Sequence, residues 1–397
     1  MHDRCVYLDN HATTRVDPRV VEAMSPYWTE IFGNPASTTH AFGWEAKAAV
    51  DAARAQVAAA IGAQEREIVF TSGATEGNNL ALRGVAERPR RRGNHLVSVV
   101  TEHKAVLDPL RRLARHGCEL TLLPVESACS SRAGWLDPER LAAVLRDDTL
   151  LVSVMLANNE IGIVQPLAEI GRICRSRGVL LHCDATQAVG RIPVDVTTLG
   201  VDLLSFSAHK FYGPKGVGAL YVRQGADPVR LECQIAGGGH ERGLRSGTLN
   251  VPGIVGLAAA LELSLAEMST EAVRLASLRD RLFAGLISAL DGVTLNGPAL
   301  DVPGLRLPGN LNVSFASVDG EALILDTKQL AVSSGSACTS ANPEPSHVLA
   351  ALGLDADAVR SSLRFGLGRF NTAEEIEFAT SIVAGAVERL RKLSSLA

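Results

Sequence analysis

The sequence predicts an α/β fold: a mainly parallel sheet covered by helices, followed by a smaller α+β domain. Between about residues 65 and 225, short apolar segments alternate with longer amphipathic ones. Strands that are apolar along their whole length and are separated by helices are typical of parallel sheets buried on both faces. The segments predicted as strands are EIVF (67–70), HLVSVV (95–100), ELTLLPV (119–125), LLVSVML (150–156), VLLHCD (179–184), VDLLSF (201–206) and GALYV (218–222).

A second region begins near residue 260 and has a different pattern. The long helical segment LAAALELSLAEMSTEAVRLASLRDRLFAGLISAL is followed by the strand-like segment NLNVSF (310–315) and by a closing helix. This arrangement is typical of an α+β domain. We therefore expect a large domain over residues 16–260 and a small domain that combines residues 1–15 with residues 261–397.

Composition indicates a soluble globular protein. The 397 residues are 46% hydrophobic and 21% charged, and the formal net charge is −4, which is ordinary for globular domains. The basic run RPRRR (88–92) is predicted to be a solvated loop, so no direct nucleic-acid binding is expected. The N-terminal segment lacks the apolar core of a signal peptide. No apolar run reaches the roughly 20 residues that span a bilayer, so no membrane association is expected.

The cysteines indicate a reducing compartment, for which the cytoplasm fits best. They are scattered, odd in number and never spaced as CxxC, which argues against a disulfide framework and a zinc site. The adjacent residues His182, Cys183 and Asp184 point to alternate faces of one strand, so no metal site is expected there. The cysteines are Cys5, Cys118, Cys129, Cys174, Cys183, Cys233 and Cys338.

Polar and reactive side chains follow five of the predicted strands. The carboxyl ends of parallel strands meet at one edge of a sheet, where open α/β sheets bind their ligands. Five such segments at the same edge indicate a functional site. They are TSGATEGNN after EIVF, TEHK after HLVSVV, ANNE after LLVSVML, DATQ after VLLHC and SAHK after VDLLSF.

Two of these segments supply groups that bind charge. TSGATEGNN (71–79) has small residues leading into a helix, whose free N–H groups and dipole favour an anion. It lacks the spacing of a nucleotide P-loop or a dinucleotide fold, and an ordinary glycine turn is the alternative. Asp184 follows a fully apolar strand and needs a cationic or N–H partner. The alternative for Asp184 is a helix cap.

Lys210 is the predicted covalent anchor for a cofactor. It ends another apolar strand, and a partly desolvated lysine loses its proton more easily and forms imines. The chain has only six lysines, although Lys215 nearby is a rival. An imine-forming lysine, an acid for a pyridinium nitrogen and an anion-binding turn together describe a site for pyridoxal 5′-phosphate (PLP).

Three further residues are weaker candidates when each is taken alone. His103 is placed to stack on a cofactor ring, or it is a surface histidine at a helix start. Arg364 suits a substrate carboxylate, or it forms a surface ion pair. Cys338 lies in SSGSACTSAN (333–342), among small polar residues that neither pack a thiol nor pair it.

The motifs above resemble those of the cysteine desulfurases, PLP enzymes with the class V aminotransferase fold. The resemblance is to the housekeeping iron–sulfur cluster and nitrogenase-associated branch, and it implies the PLP-dependent transferase fold of type I. It covers nearly the whole chain in the family's order. The matching segments are YLDNHATTRVDP, FGNPAS, EIVFTSGATE, TEHKAVLD, NNEIG, DATQ, SFSAHKFYGPKG, GGGHERGLRSGT, LNVSF and SSGSACTS.

The resemblance implies how the cofactor is held. Lys210 binds it covalently, Asp184 binds its pyridinium nitrogen and Gln187 its phenolic oxygen. The residues implied for the phosphate are Ala74, Thr75, Ser207, His209 and, for the phosphate of the partner subunit in a homodimer, Thr248.

The resemblance also implies substrate and sulfur-transfer roles. L-cysteine is the substrate and L-alanine the product, with Asn159 and Arg364 positioning the substrate and His103 stacking on the ring. Cys338 is the nucleophile that receives the sulfur as a persulfide, and a mobile loop at about 333–345 suits that task because the persulfide must reach an acceptor. Attack requires a thiolate, so His103 is expected to deprotonate Cys338.

Some features leave alternatives open. His11 and Thr38 differ from the residues common in relatives, and the chain ends without the extension that relatives use to dock a scaffold protein. The acceptor is therefore either an iron–sulfur scaffold or a relay for transfer-RNA thiolation. The alternative functions are selenocysteine lysis or another class V aminotransferase-type reaction, and a non-catalytic sulfur carrier or scaffold that needs Cys338 but not Lys210.

Overall fold

The computed structural model describes residues 5–88, 93–334 and 345–394. Strands and helices alternate through the first half of these residues, as predicted. The strands are β1 (Val6–Tyr7), β2 (Ile68–Thr71), β3 (His95–Val99), β4 (Glu119–Leu123), β5 (Thr149–Ser153), β6 (Leu180–Asp184), β7 (Leu203–Ser207), β8 (Gly218–Val222), β9 (Val293–Leu295), β10 (Asn310–Phe315), β11 (Leu330–Ala331), β12 (Ser333–Ser334) and β13 (Ser362–Gly366).

Helices cover the sheets and fill the space between them. The α-helices are α1 (Pro18–Met24), α2 (Pro26–Thr29), α3 (Ala41–Ala60), α4 (Ala74–Ala86), α5 (Lys104–Arg115), α6 (Pro138–Val144), α7 (Leu167–Ser176), α8 (Val196–Leu199), α9 (Val251–Ala289), α10 (Gly320–Asp326), α11 (His347–Ala351), α12 (Ala356–Arg360) and α13 (Ala373–Ser394). Short 3-10 turns span Glu65–Glu67, Ala208–Lys210 and Glu241–Gly243.

The large sheet has the strand order β2-β8-β7-β6-β5-β3-β4. Strands β4, β3, β5, β6 and β7 run parallel, whereas β8 is antiparallel to both of its neighbours, β7 and β2. The prediction of a mainly parallel sheet is therefore confirmed. All seven predicted strands form, and their ends move by at most three residues; GALYV matches β8 and NLNVSF matches β10 without change.

Apolar side chains cover both faces of the large sheet, and a separate cluster packs on the smaller one. Leu204 and Phe206 of β7 face one large cluster, whereas Leu203 of the same strand faces another. This alternation is the period of two that a buried strand requires. The four-stranded sheet β12-β13-β10-β9 carries the third cluster, which includes Leu311 and Phe365. The domain boundary near residue 260 stays a prediction.

Helix α9 joins the two regions. Its 39 residues are long and apolar enough to cross a membrane by length and composition, but half of its most apolar window is buried inside the structure. Its first turns, with Ile254 and Leu257, pack in the large core, and Leu282 and Leu286 near its end pack in the small one. The helix is therefore explained as a core helix of this fold.

The N-terminal segment crosses from the small region to the edge of the large sheet. Strand β1 pairs in parallel with β11, and Leu8 is fully buried in the small apolar cluster. The Asn10 N–H then donates to the carbonyl of Gly366 at 3.0 Å, and the Thr14 N–H donates to the carbonyl of His209 at 2.9 Å. These bonds place residues 10–14 beside the end of β7.

Candidate active site

A cavity of about 540 Å³ lies beyond the carboxyl ends of β3, β5, β6 and β7. The sequence-predicted edge of the sheet is therefore the place where the predicted residues meet. Those that line the cavity are Ala74, Thr75, His103, Asn159, Asp184, Gln187, Ser207, His209, Lys210 and Arg364.

Lys210 projects from the 3-10 turn that directly follows β7. Its Nζ donates to the carbonyl oxygens of His11 and Ala12, each at 2.7 Å. These two carbonyls belong to the N-terminal segment and hold the amine at the cavity wall. Lys215, the rival from the sequence, also lines the cavity but lies at its exposed side.

Asp184 ends β6 and points its carboxylate into the cavity floor. Its Oδ2 accepts from Asn78 Nδ2 at 2.7 Å, and its Oδ1 accepts from the Thr186 N–H at 3.0 Å. Only 5% of the residue is exposed. The two donors satisfy the buried carboxylate and fix its direction, which is the requirement that the sequence raised for this position.

The start of α4 forms one end of the cavity, which we call the helix end: Gly73, Ala74, Thr75, Ser207 and His209. Gly73 has φ of 152° and has no side chain that could cap the helix, so the first-turn N–H groups remain for a ligand. A Cβ on Gly73 would lie 3.4 Å from Ser207 Oγ, which is an ordinary contact, so the backbone conformation rather than the space favours glycine here.

His209 completes the helix end. Its Nδ1 lies 3.0 Å from Thr13 Oγ1. Burial, together with the charges of Lys210 and Lys215, lowers the pKa of the imidazole to about 4. His209 is therefore neutral near pH 7 and acts through a hydrogen bond rather than a charge.

His103 is the N-cap of α5 and lines the cavity opposite Lys210's segment. Its Nδ1 accepts from the Ala105 N–H at 3.0 Å, so the proton of the neutral ring is on Nε2. Burial lowers the pKa of His103; the negative charge of Asp184 opposes this shift, and the positive charge of Lys210 adds to it. The ring is a neutral donor at Nε2 in this arrangement.

The opposite end of the cavity, which we call the arginine end, consists of His11, Asn159 and Arg364. Arg364 is buried; its Nη1 donates to the carbonyl of Asn159 at 3.1 Å, and its Nη2 donates to Asp9 Oδ1 at 2.8 Å and Ser333 Oγ at 3.0 Å. The guanidinium is therefore fixed in direction. Gln187 lies between the ends and donates from Nε2 to the carbonyl of His11 at 2.9 Å.

Thr248 is the predicted site residue that lies outside this cavity in the described part of the chain. Thr248 lines a neighbouring cavity of about 70 Å³, which shares Ser72 and Gly216 with the main one. Its assignment to the phosphate of a partner subunit stays a prediction. Cys338 and most of its predicted loop lie outside the described residues.

Comparison with known proteins identifies the family. A model of the class V aminotransferase family matches residues 6–378. Cysteine desulfurase IscS of Anaeromyxobacter dehalogenans (strain 2CP-C) is 58% identical over 391 residues, which cover 98% of this chain and 94% of that protein. The chain belongs to the cysteine desulfurases of the class V aminotransferase family.

Solved structures agree with this family assignment. A NifS-like protein matches with a TM-score of 0.87 and 40% identity; the match covers 97% of the present chain and 100% of the NifS-like chain. A structure of SspA in complex with cysteine matches with a TM-score of 0.79 and 34% identity, over 92% and 100% of the two chains. The predicted fold class and the predicted enzyme class are both confirmed.

The residues of the cavity fit PLP, on which this family depends. The Lys210 amine suits the aldehyde, the oriented Asp184 carboxylate suits the ring nitrogen, and the helix end offers N–H groups and a hydroxyl to a phosphate. The cofactor prediction is therefore confirmed at the level of the family. The individual residue assignments stay predictions, and they are consistent with the positions of these side chains.

Sequence reasoning missed several side chains that shape the desulfurase site. Asn78 orients Asp184, and it lies one helical turn after Ala74, so the TSGATEGNN motif contained the signal. Glu102 is fully buried, and burial raises the pKa of its carboxyl well above the usual range. Arg191 binds the carbonyl of Lys210 with Nε at 3.1 Å. Glu102 belongs to the TEHK segment that follows β3, but nothing local in the sequence indicated Arg191.

Proposed function

We propose that this desulfurase converts L-cysteine to L-alanine and that Cys338 receives the sulfur. The observation that carries the proposal is the arrangement of Lys210, Asp184, the helix end and Arg364 around one cavity. An amino acid attached at Lys210's side of the cofactor needs a cationic partner for its carboxylate, and Arg364 supplies one at the far end. The similarity to SspA in complex with cysteine supports the same substrate.

In this proposal, each side chain has a role that follows from its position in the cavity. PLP, when bound, withdraws electrons from the α-carbon of the attached amino acid and so weakens its Cβ–S bond. Lys210 holds the cofactor and returns to it after each turnover, and Asp184 keeps a negative charge beside the ring nitrogen. Asn159 and Arg364 orient the substrate so that its sulfur faces the opening of the cavity.

The sulfur transfer balances without any other reactant. The Cys338 thiolate attacks the substrate sulfur, an S–S bond forms and the Cβ–S bond breaks, and the electron pair of that bond stays on the carbon skeleton. Protonation of the carbon then yields alanine, and Cys338 becomes a persulfide. One thiol and one cysteine thus give one persulfide and one alanine.

His103 is the proton-transfer residue in this proposal. Its Nδ1 accepts from the Ala105 N–H, so the neutral ring carries its proton on Nε2. To deprotonate Cys338, the ring must give up the Ala105 contact so that Nδ1 takes the thiol proton. The imidazolium formed in this way then donates a proton on the substrate side.

The partners follow from this chemistry. A persulfide on Cys338 needs an acceptor protein, either an iron–sulfur scaffold or a transfer-RNA thiolation relay. A homodimer in the cytoplasm is proposed. The dimer is supported by large aromatic side chains exposed near the N-terminus, Trp28 at 63%, Phe32 at 63%, Phe42 at 51% and Trp44 at 57%, of which Phe32 and Phe42 contact each other with ring centroids 5.4 Å apart. Exposed apolar surface of this kind marks an interaction site.

The test is to identify where the sulfur goes. Purified PLP-loaded protein is treated with L-cysteine, quenched with an alkylating agent and digested for peptide mass spectrometry, with alanine measured in parallel. We expect an added sulfur on Cys338 and one alanine for each sulfur transferred. The Cys338→Ser variant should bind L-cysteine but transfer no sulfur.

Three results would overturn parts of the proposal. If alanine forms while Cys338 stays unmodified, Cys338 is not the nucleophile. Another reaction, such as selenocysteine lysis, is then favoured, and an assay with selenocysteine as substrate would reveal it. If the PLP-loaded protein forms no alanine, L-cysteine is not the substrate. For the dimer, mixing Lys210→Ala and Thr248→Ala subunits should restore one intact site, and no recovery would contradict the role of Thr248.

A further inference from the structure

His11 is a buried histidine at the arginine end that the proposed function does not use. It lines the main cavity, and only 1% of the residue is exposed. On its other side it borders a small cavity together with Arg191 and Tyr212.

The contacts of the ring determine which nitrogen carries the proton. Arg191 Nη1 lies 2.6 Å from His11 Nδ1, and a guanidinium only donates hydrogen bonds. Nδ1 is therefore the acceptor, and the proton of the neutral ring is on Nε2. Arg191 is itself held by the carbonyls of Asn10 and Lys210, at 2.6 Å and 2.9 Å from Nη2, so this assignment is structurally fixed.

The ring is neutral as well as oriented. Burial lowers the pKa of His11 well below its usual range, and the positive charges of Arg191 and Arg364 act in the same direction. Gln187 Oε1 also lies 3.1 Å from Nδ1, but it is not bonded in this tautomer because both atoms are acceptors. The result is a neutral imidazole with a single N–H, at Nε2.

That N–H has no partner among the residues that the structure describes, and the same holds for the Nε–H of Arg364. Buried donors are nearly always bonded in folded proteins, so two orphaned donors on residues that line one cavity indicate a missing acceptor. Arg364 and Gly366 lie on the same face of β13, and the Cδ2 edge of the His11 ring, which adjoins Nε2, packs against Gly366.

We propose that His11 Nε2–H and Arg364 Nε–H together bind the α-carboxylate of the amino-acid substrate. A carboxylate has two oxygens and accepts from two donors at once. Arg364 supplies the charge, and His11 adds a neutral donor that fixes the orientation. This inference deepens the proposed function and rests on it for the class of ligand.

The experiment compares two amines that differ only in the carboxylate. L-alanine and ethylamine are titrated into the PLP-loaded protein, and binding is followed by the change in cofactor absorbance. In His11→Ala we expect L-alanine to bind about 10-fold more weakly, because a hydrogen bond to a charged group is lost. Ethylamine should bind with unchanged affinity, since it has no carboxylate.

The second variant guards against a folding defect. In His11→Asn the side-chain oxygen replaces Nδ1 as the acceptor for Arg191, while its N–H falls short of the position of Nε2. We expect about a threefold loss for L-alanine alone. Cofactor content and unfolding temperature are measured for both variants.

The outcomes separate this inference from the proposed function. Equal losses for both amines would show that His11 supports only the cofactor site, and no loss for either would show that the ring merely packs; each result overturns the inference. A selective loss for L-alanine supports it even if the unmodified protein releases no alanine from L-cysteine. Failure of the unmodified protein to release alanine from L-cysteine would overturn the proposed function but not this inference.

Discussion

The helix end and the arginine end of the cavity are built in different ways. The core of the helix end comes from one continuous strand, turn and helix, and its anion-binding groups are backbone N–H groups of the first turn of α4. The arginine end combines His11, Asn159 and Arg364, which meet only when the N-terminal segment and β13 pack against the large sheet. The first end depends on local backbone geometry, whereas the second depends on side chains positioned by the tertiary fold.

The largest expected effect on activity comes from substituting Lys210, the residue predicted to bind the cofactor covalently. Lys210→Ala should abolish alanine formation, because the amine that attaches the cofactor is lost. Lys215→Ala is the matched control, since Lys215 lines the same cavity at its exposed side. Borohydride reduction followed by peptide mass spectrometry should find PLP on Lys210. Cofactor attached to Lys215 would contradict the assignment.

Two variants, one at each end of the cavity, test whether the arginine end depends on side chains and the helix end on the backbone. Arg364→Lys should lower kcat/KM for L-cysteine about 10²-fold, because lysine cannot reproduce the forked donors. Thr75→Ala at the helix end should weaken PLP binding by less than about 10-fold, since the backbone N–H groups remain. Steady-state kinetics and PLP titration measure the two effects. A larger loss from Thr75→Ala would show that the helix end also depends on its side chains.

Asn78, on the helix whose start forms the helix end, tests whether the Asp184 carboxylate depends on one side-chain donor. Asn78→Ala leaves Asp184 Oδ2 without its 2.7 Å donor in a buried position. We expect a loss of about 1–3 kcal/mol in the free energy of unfolding of the PLP-free protein, measured with urea. Asn79→Ala, one residue along, is the control: Asn79 is half-buried, and its Nδ2 donates to the Thr75 carbonyl of its own helix rather than to Asp184. An unchanged stability would mean that Asp184 finds another donor.

The effect that is smallest near neutral pH involves the sheet beneath the cavity, because it develops only as the pH falls. His182 is fully buried between Ser153 and Ser205, and burial lowers its pKa to about 4. The unfolded chain binds a proton near pH 6.5 and the folded chain does not, so stability is complete above pH 6.5 and is lost as the pH falls towards 4.

His182→Gln should remove that contribution. The slope of the unfolding free energy between pH 6 and 4.5 should fall by about 1.4 kcal/mol per pH unit, one proton's worth. Urea unfolding at several pH values measures it. A slope equal to that of the unmodified protein would mean that other buried histidines, such as His11 and His209, account for the acid sensitivity.

The comparison also explains how much the sequence could predict. The strands of the large sheet, the helix-end turn, Asp184 and Lys210 were predictable, because each polar segment directly follows an apolar strand. The prediction of the arginine end was weaker. Arg364 was assigned by resemblance, because a single arginine in a sequence is equally compatible with a surface ion pair. The bond of Arg191 to His11 spans 180 residues and depends on how the N-terminal segment packs against the sheet, which no local pattern encodes.

The pairing of the N-terminal segment with β13 has a consequence for how the enzyme is made. Asn10 and Gly366 are bonded across 356 residues. At about 5–20 residues per second, a ribosome takes roughly 20–70 s to synthesise the second after the first. The wall that holds Lys210 is therefore completed last, and we expect cofactor loading to follow release of the chain. Ribosome-bound chains truncated before β13 should not acquire the visible absorbance of attached PLP.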